Sequence, residues 1–248
     1  MGLLDNESIP RRKMTLFFVI DKSGSMCGSK IGSVNDAIEN VLPMIGEISD
    51  ENPDAEINVA ALEFSTSTRW LYDEPKEAGD FIWQQVEAEG LTSLGMACEE
   101  LNKKLSRNNG FMSSPSGCYA PAIILLSDGG PTDNYENGLN ALKQNNWFKN
   151  AIKVAIAIGD DADKGVLAQF TGNSEAVITV HTLDALKAMI RIIAITSSQI
   201  GSKSTSATDA TKQEQVIAEV NKAAVDVNGA ETANAPTPAA GDSWDDWD

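Results

Sequence analysis

The stretch that decides the fold is MTLFFVIDKSGSM, residues 14–26. Its first seven residues form a short apolar run, rich in β-branched and aromatic side chains, with no helical stripe of polar positions. Such a run is typical of a strand that is buried on both faces at the centre of a parallel sheet. A carboxylate and two hydroxyls follow at alternating positions, in Asp21, Ser23 and Ser25, and Gly24 allows a tight turn between them.

This polar loop has two interpretations when it is considered alone. In an extended loop, alternating residues point to one side, so Asp21, Ser23 and Ser25 would present three small, hard oxygen donors of the kind that Mg²⁺ prefers. The same residues could instead cap the helix that the sequence predicts next. The rest of the chain has to decide between a metal site and a helix cap.

Composition limits the kind of protein. The chain has 248 residues, 42% of them hydrophobic, which is enough for one substantial core. Its formal net charge of −17 argues against nucleic acid and anionic membranes as partners, because both would repel it. No stretch is apolar for long enough to span a bilayer, and residues 1–13 contain no apolar segment of a secretion signal. We therefore expect a cytoplasmic protein.

The cysteines and the histidine argue against a disulfide framework and against a transition-metal centre. Cys27, Cys98 and Cys118 are odd in number and irregularly spaced, and His181 is the single histidine. This pattern is typical of reduced cytosolic thiols rather than of a zinc site.

Strands and helices alternate along the chain. Strands are predicted at residues 14–20, 57–64, 121–127, 153–158 and 177–180, with an antiparallel edge strand at 69–72. Helices are predicted at about 31–48, 78–86, 95–105, 136–150, 162–170 and 183–200. This order predicts a doubly wound α/β fold, with a mostly parallel central sheet and helices on both faces. Such sheets bind ligands where the strand order reverses, which we place between strands 14–20 and 121–127.

The predicted domain covers residues 14–200, after an N-terminal extension at 1–13. Residues 201–248 are expected to form a flexible linker and an acidic, aromatic tail, with one weak amphipathic helix from residue 216 to residue 227. In the final segment, GDSWDDWD (residues 241–248), Trp244 and Trp247 resemble the anchors of a short docking peptide. The alternative is a tail that serves solubility alone.

Oxygen donors from three loops are predicted to converge at the switch point. Asp21, Ser23 and Ser25 follow the first strand, Thr92 lies in a glycine-flanked loop before a helix, and Asp128 ends a second central strand. Together they could supply most of an octahedral Mg²⁺ shell, with the carboxylates acting partly through water and one position left open. The convergence favours the metal site over the helix cap.

These motifs resemble a known family. The DxSGS loop, the later threonine and LLSDGGPTD are similar to the metal-ion-dependent adhesion site (MIDAS) of von Willebrand factor A (vWA) domains. More narrowly, DKSGSMCGSKIGSVNDAI, LLSDGGPTD and VAIAIGDDADKGVLAQFTG resemble the TerY-type bacterial branch, which is associated with tellurium resistance and stress responses. The resemblance covers about residues 14–200. Two positions depart from the family pattern: Leu91 replaces a usual glycine, and Ser127 stands where threonine often precedes the aspartate.

The resemblance implies a function and a division of roles. Ser23, Ser25 and Thr92 would be direct or near-direct ligands of Mg²⁺ or Mn²⁺, while Asp21 and Asp128 would hold waters of the shell. A protein partner would complete the site with an acidic side chain. The implied function is a non-enzymatic, Mg²⁺-dependent interaction module, a scaffold in a stress-response or signalling complex with kinase- or phosphatase-like partners.

Two other functions compete with this hypothesis. A Mg²⁺-dependent phosphohydrolase would need a basic group for the phosphate, and the loops offer little besides Lys22. A substrate adaptor of a AAA+ motor, of the MoxR or chelatase kind, would need its motor on a separate protein, because the chain contains no G-x-x-x-x-G-K-[ST] motif.

Overall fold

The structure, a computed structural model, describes residues 10–114, 116–203 and 211–233. Within these residues, eight strands form one sheet in the spatial order β3-β2-β1-β5-β6-β7-β8, with β4 also paired to β2. The strands are β1 (Arg12–Asp21), β2 (Ala55–Phe64), β3 (Thr68–Trp70), β4 (Lys76–Glu77), β5 (Ala122–Ser127), β6 (Ile152–Ile158), β7 (Val177–Val180) and β8 (Ala230–Glu231). The five central strands are parallel, and β3, β4 and β8 pair antiparallel at the edges.

Helices cover both faces of the sheet, as predicted. They are α1 (Ser29–Glu51), α2 (Leu94–Lys104), α3 (Tyr135–Gln144), α4 (Asn146–Asn150), α5 (Lys164–Thr171), α6 (Leu183–Gly201) and α7 (Lys212–Ala224). The apolar core has two halves: one joins the sheet to α1, α6 and α7, and the other joins it to α2, α3, α4 and α5. None of the helices in the described ranges is long and apolar enough to cross a membrane.

Strand β1 lies at the centre of this arrangement. Phe18 packs into the half of the core beneath α1 and α6, while its neighbour Phe17 packs into the other half, and both are fully buried. Burial on both faces explains why the run is uniformly apolar rather than alternating. The chain passes from β1 to β2 on one side and later returns to β5 on the other side. The strand order therefore reverses between β1 and β5, as predicted.

The predicted helix at 78–86 is wrong. Apart from a 3-10 turn at Ala78–Asp80, this segment has no regular secondary structure. The side chain of Asn35 on α1 takes the place of a backbone partner: its Nδ2 donates to the carbonyl of Val86 at 2.9 Å, and its Oδ1 accepts from the Val86 amide at 2.9 Å and from Trp83 Nε1 at 3.0 Å. These buried bonds hold the segment in a non-helical conformation. In this conformation Phe81, Trp83 and Val86 are buried and Ile82 is exposed.

The predicted helix at 136–150 is divided into α3 and α4. Asn145 separates them, and its side chain accepts from the Trp147 amide at 2.8 Å to cap α4. Helix α1 is continuous from Ser29 to Glu51, although it contains Pro43.

The folded part of the chain extends beyond residue 200. The expected amphipathic helix is present as α7, and its Val216 and Val220 are fully buried in the core. Gln213 secures α7 by a pair of bonds to the backbone of Lys153, at 2.6 and 2.7 Å, where β6 has not yet begun to pair with β7. Part of the range that we expected to be flexible linker therefore packs against the domain. Trp244 and Trp247 lie outside the described residues.

Candidate metal site

Asp21 ends β1 and is fully buried at the switch point. Its Oδ1 accepts a hydrogen bond from the Ser23 amide at 2.8 Å, which shapes the loop that follows the strand. Its Oδ2 accepts from Ser127 Oγ at 2.6 Å, and Ser127 is the last residue of β5. Asp21 therefore connects the carboxyl ends of the two strands that flank the reversal.

The two serine hydroxyls continue this connection to the second carboxylate. Ser23 Oγ and Ser25 Oγ lie 3.1 Å apart, and Ser25 Oγ donates to Asp128 Oδ1 at 2.7 Å. Asp128 directly follows β5, and its side chain is fully buried. Four of the five residues that we predicted for the site are therefore joined in one network of hydrogen bonds.

The loop that contains Thr92 is hydrogen-bonded to both of the other loops. Gly24 donates its amide to the carbonyl of Gly90 at 3.0 Å, which joins the Thr92 loop to the β1 loop. On the other side, Thr132 Oγ1 accepts from the Thr92 amide at 3.1 Å, and the Thr132 amide donates to the Thr92 carbonyl at 2.8 Å. All five predicted residues therefore belong to three loops that are hydrogen-bonded to one another.

The electrostatics of the site favour a bound cation. Burial raises the pKa of Asp21 above its ordinary value and the nearby charge of Asp128 adds to the increase, although hydrogen bonds from Ser127 and Ser23 oppose it. Lys30 Nζ lies 2.8 Å from Asp128 Oδ2. One ammonium faces two buried carboxylates, so negative charge at the site exceeds positive charge.

Lys30 is the residue of the site that sequence reasoning missed. It is the second residue of α1, and its side chain reaches back over the β1 loop to the end of β5. A basic residue in the first turn of the helix that follows the Asp21 loop is a signal for such a pairing. Nothing in the spacing alone says that it contacts Asp128 rather than solvent.

Asp133, in the loop that follows β5, contacts the helix that follows Thr92. Its Oδ2 accepts from the amide of Gly95 at 2.9 Å, in the first turn of α2 rather than of α3. Its Oδ1 is buried and has no hydrogen-bond partner among the described residues. Asp133 thus fixes the helix that follows Thr92 to the loop that follows Asp128.

Lys22 is held by carboxylates beside the site. Its Nζ lies 2.8 Å from Glu89 and 3.4 Å from the buried Glu63. Burial alone would lower the pKa of Lys22, but the hydrogen bond with Glu89 and the charges of Glu63 and Glu89 raise it overall. Lys22 therefore remains protonated and paired with these carboxylates. It links the β1 loop to the segment that leads to Thr92.

The donor set suits a hard divalent cation. It consists of two carboxylates and three hydroxyls, and oxygen donors of this kind bind Mg²⁺ and Mn²⁺. In the part of the chain that the structure describes, no group of three or more His, Cys, Asp and Glu side chains could hold a metal ion. The site proposed here differs from such a group because three of its five donors are hydroxyl oxygens.

Comparisons with known proteins agree with this fold. Residues 15–192 match the model of the von Willebrand factor type A domain. The chain is 31% identical over 133 residues to inter alpha-trypsin inhibitor, heavy chain 4, of Mus musculus; the match covers 51% of the chain and 13% of that protein. This chain therefore corresponds to a small part of that relative.

Two solved structures share the architecture. A von Willebrand factor type A protein from Catenulispora acidiphila has a TM-score of 0.55 at 15% identity, over 76% of this chain and 43% of that one. Proximal thread matrix protein 1 from the mussel byssus, solved with a zinc-occupied MIDAS motif, has a TM-score of 0.53 at 16% identity, over 73% of this chain and 47% of that one. At these identities the two structures support the fold. Because the family model spans more than half of its residues, the chain belongs to the von Willebrand factor type A domain family, whose members are metal-dependent interaction modules.

Proposed function

We propose that this protein is a Mg²⁺-dependent protein–protein interaction module, with the metal held by Asp21, Ser23, Ser25, Thr92 and Asp128. The observation that carries the proposal is the network of hydrogen bonds that joins the buried Asp21 to the buried Asp128 across the reversal of the strand order. Such a network concentrates hard donors and negative charge at one point. Mg²⁺ or Mn²⁺ would neutralise that charge and accept a carboxylate from a partner.

The surface around the site supports a protein as the partner. Leu91 directly precedes Thr92, and 59% of its surface is exposed. Met96, in the first turn of α2, is also an exposed apolar residue. Exposed apolar side chains beside a cation suit a protein surface that offers one acidic residue with apolar residues around it. The backbone of Leu91 is fixed, because Thr66 Oγ1 accepts a hydrogen bond from its amide at 3.0 Å.

The biological setting that we propose rests on the sequence motifs. The similarity to the TerY-type branch supports a scaffold in a bacterial stress-response or signalling complex, with kinase- or phosphatase-like proteins as partners. A AAA+ ATPase is the alternative partner, and its recovery with the bound protein would identify the adaptor role.

A non-enzymatic role is supported by the surroundings of Lys22. Phosphoryl transfer needs a cationic group that is available to the phosphate. Lys22, the basic residue that the loops offer, is paired with Glu63 and Glu89, and Lys30 is paired with Asp128. We therefore expect the purified protein not to hydrolyse nucleotides or phosphoesters in Mg²⁺. Sustained hydrolysis that Asp21→Asn abolishes would contradict the proposal.

The experiment that tests the metal site is calorimetric titration with Mg²⁺ and Mn²⁺. The wild-type protein should bind one ion, and Asp128→Ala should reduce the affinity at least 100-fold, because it removes a buried carboxylate from the network. Asp73→Ala is the matched control, since Asp73 is an exposed aspartate outside the three loops. Capture of partners from the native host should then require Mg²⁺ and fail in EDTA. Equal binding by wild type and Asp128→Ala would overturn the site.

A further inference from the structure

A cavity with basic side chains in its lining lies at the opposite end of the sheet from the metal site. It has a volume of about 580 Å³, and its lining includes Arg12, Tyr119, Lys149, Lys153 and Lys212. Arg12 begins β1, whereas Asp21 ends it, so the length of a ten-residue strand, about 30 Å, separates this cavity from the metal site. The cavity therefore cannot share a ligand atom with the metal.

The charge of the cavity is opposite to that of the protein. The chain has 36 acidic and 19 basic residues, yet four cationic side chains line this one space. Across the three described ranges, none of the four forms an ion pair with a carboxylate. Three of them donate instead to backbone carbonyls: Arg12 to Cys118 at 2.8 Å, Lys153 to Ala151 at 2.7 Å, and Lys212 to Gly201 at 2.7 Å.

The surrounding residues contact these cations, but burial disfavours the charged form of two of the lysines. Arg12 and Lys212 both lie over the ring of Tyr119, at 4.1 and 5.0 Å from its centroid. Burial lowers the pKa of Lys153 to about 8, and burial together with the charge of Arg12 lowers the pKa of Lys212. The protonated forms are thus disfavoured, and an anion in the cavity would stabilise them.

We propose that this basic cavity binds an acidic, aromatic peptide, and that the peptide is residues 241–248 of the same chain. This segment, GDSWDDWD, carries four aspartates, which matches the four cations in number and sign. An indole ring of Trp244 or Trp247 can stack on the guanidinium of Arg12, and indole is the ring that binds such cations best. A small inorganic anion would satisfy the charges but would leave most of the volume unfilled.

The path of the chain brings the segment within reach. Strand β8 runs antiparallel to β7 and therefore heads toward the end of the sheet where the cavity lies. Glu231 is level with Ala157 of β6, through Thr179 of β7. Lys153 lies about 13 Å further along β6 and about 10 Å across the sheet. The ten residues 232–241 can span up to about 33 Å, so the segment reaches the cavity with length to spare.

A short tether also favours binding within one chain over binding between two chains. It holds the segment at an effective concentration in the millimolar range, which exceeds the concentration of a second copy in dilute solution. The docking proposal does not depend on the metal, and its failure would leave the proposed function intact.

The test uses full-length protein and a fluorescently labelled GDSWDDWD peptide, with binding measured by anisotropy. Replacing Asp242, Asp245, Asp246 and Asp248 by Asn in the chain should vacate the cavity. This neutralised chain should bind the peptide at least tenfold more tightly than wild type, whose own segment competes. Failure of the neutralised chain to bind the peptide would overturn the proposal.

Two substitutions in the neutralised chain locate the binding. Lys149→Glu should weaken peptide binding at least tenfold, and because Lys149 is exposed, the variant should fold normally. A peptide in which Lys replaces the four aspartates should bind the neutralised chain better when that chain also carries Lys149→Glu. Damage to the fold by Lys149→Glu would not produce this gain. Lys103→Glu is the matched control, since Lys103 is an exposed lysine on α2.

Three further readouts can each contradict the proposal. Inorganic phosphate that displaces the peptide at equal concentration would indicate a simple anion site. A wild-type chain that sediments as a dimer while the neutralised chain is a monomer would place the segment in a second copy. Loss of Mg²⁺ affinity in the neutralised chain would show that the segment acts at the metal site instead; we expect Mg²⁺ affinity to be unchanged.

Discussion

The ammonium of Lys30 lies 2.8 Å from Oδ2 of the buried Asp128 carboxylate. Asp128 accepts a second hydrogen bond at its other oxygen, from Ser25. A positive charge therefore already occupies one side of the carboxylate that a metal ion would use. We therefore expect Lys30 to compete with a bound metal ion for Asp128 and so to lower the affinity of the proposed site for metal.

Lys30→Met should increase the affinity for Mg²⁺ by about threefold to tenfold, because it removes the competing ammonium. It should also lower the free energy of unfolding of the metal-free protein by about 1–3 kcal/mol, since the buried carboxylate of Asp128 loses a charged partner. Calorimetric titration measures the first effect, and denaturation in EDTA measures the second. Lys187→Met breaks an exposed ion pair with Asp36 and should change stability by less than about 1 kcal/mol. Weaker Mg²⁺ binding by Lys30→Met would show that Lys30 assists the metal instead.

Asp21 links stability to pH in the metal-free protein. Burial raises its folded-state pKa above the ordinary value of 3.8, so the folded protein takes up the proton at higher pH than the unfolded chain does. The stabilising effect of this proton is complete below the unfolded pKa and is lost as the pH rises through the folded pKa. At neutral pH the buried charge is therefore unfavourable.

Asp21→Asn should accordingly stabilise the metal-free protein at pH 7, and this gain should disappear at acid pH, where Asp21 is neutral as well. Ser127 can still pair with the amide, because its hydroxyl can accept as well as donate. The same variant should lose the increase in melting temperature that Mg²⁺ gives the wild type. Melting curves between pH 3 and 7, in EDTA and in Mg²⁺, test both statements. A variant that is less stable than wild type at pH 7 in EDTA would contradict the first.

The sequence was sufficient for the parts of the molecule that depend on local patterns. A uniformly apolar run predicts a central strand, and carboxylates directly after two such strands, at Asp21 and Asp128, must meet where the strand order reverses. The sequence was insufficient where a single tertiary contact determines the local conformation or the partner of a side chain. The bonds from Asn35 to Val86 hold residues 81–86 extended against their helical pattern, and Lys30 reaches Asp128 across the space between α1 and β5.

Helices α2 and α3, which follow the Thr92 and Asp128 loops, pack closely against each other at Gly95 and Gly138. A Cβ atom added at Gly138 of α3 would lie 2.5 Å from the carbonyl oxygen of Gly95 on α2. Gly138→Ala should therefore lower the free energy of unfolding by about 1–3 kcal/mol, although alanine favours the helix. Gly32→Ala on α1 is the matched control, since its Cβ would meet no atom within 4 Å. It should stabilise the protein by up to about 1 kcal/mol. Urea denaturation of both variants measures the difference, and equal effects would contradict this account of the packing.

A substitution at Leu91 can distinguish partner binding from metal binding. Its side chain is exposed, so it contributes little to the fold, and its backbone is fixed by Thr66, so a change of side chain should not move Thr92. Leu91→Ser should leave Mg²⁺ affinity unchanged. If the partner covers Leu91, the lost burial of a leucine, about 1.5–3 kcal/mol, should weaken partner binding at least tenfold. Ile82→Ser is the matched control, because Ile82 is 75% exposed and lies outside the three loops of the site. Partner binding in Mg²⁺ measures both variants, and equal binding by Leu91→Ser and wild type would remove Leu91 from the interaction surface.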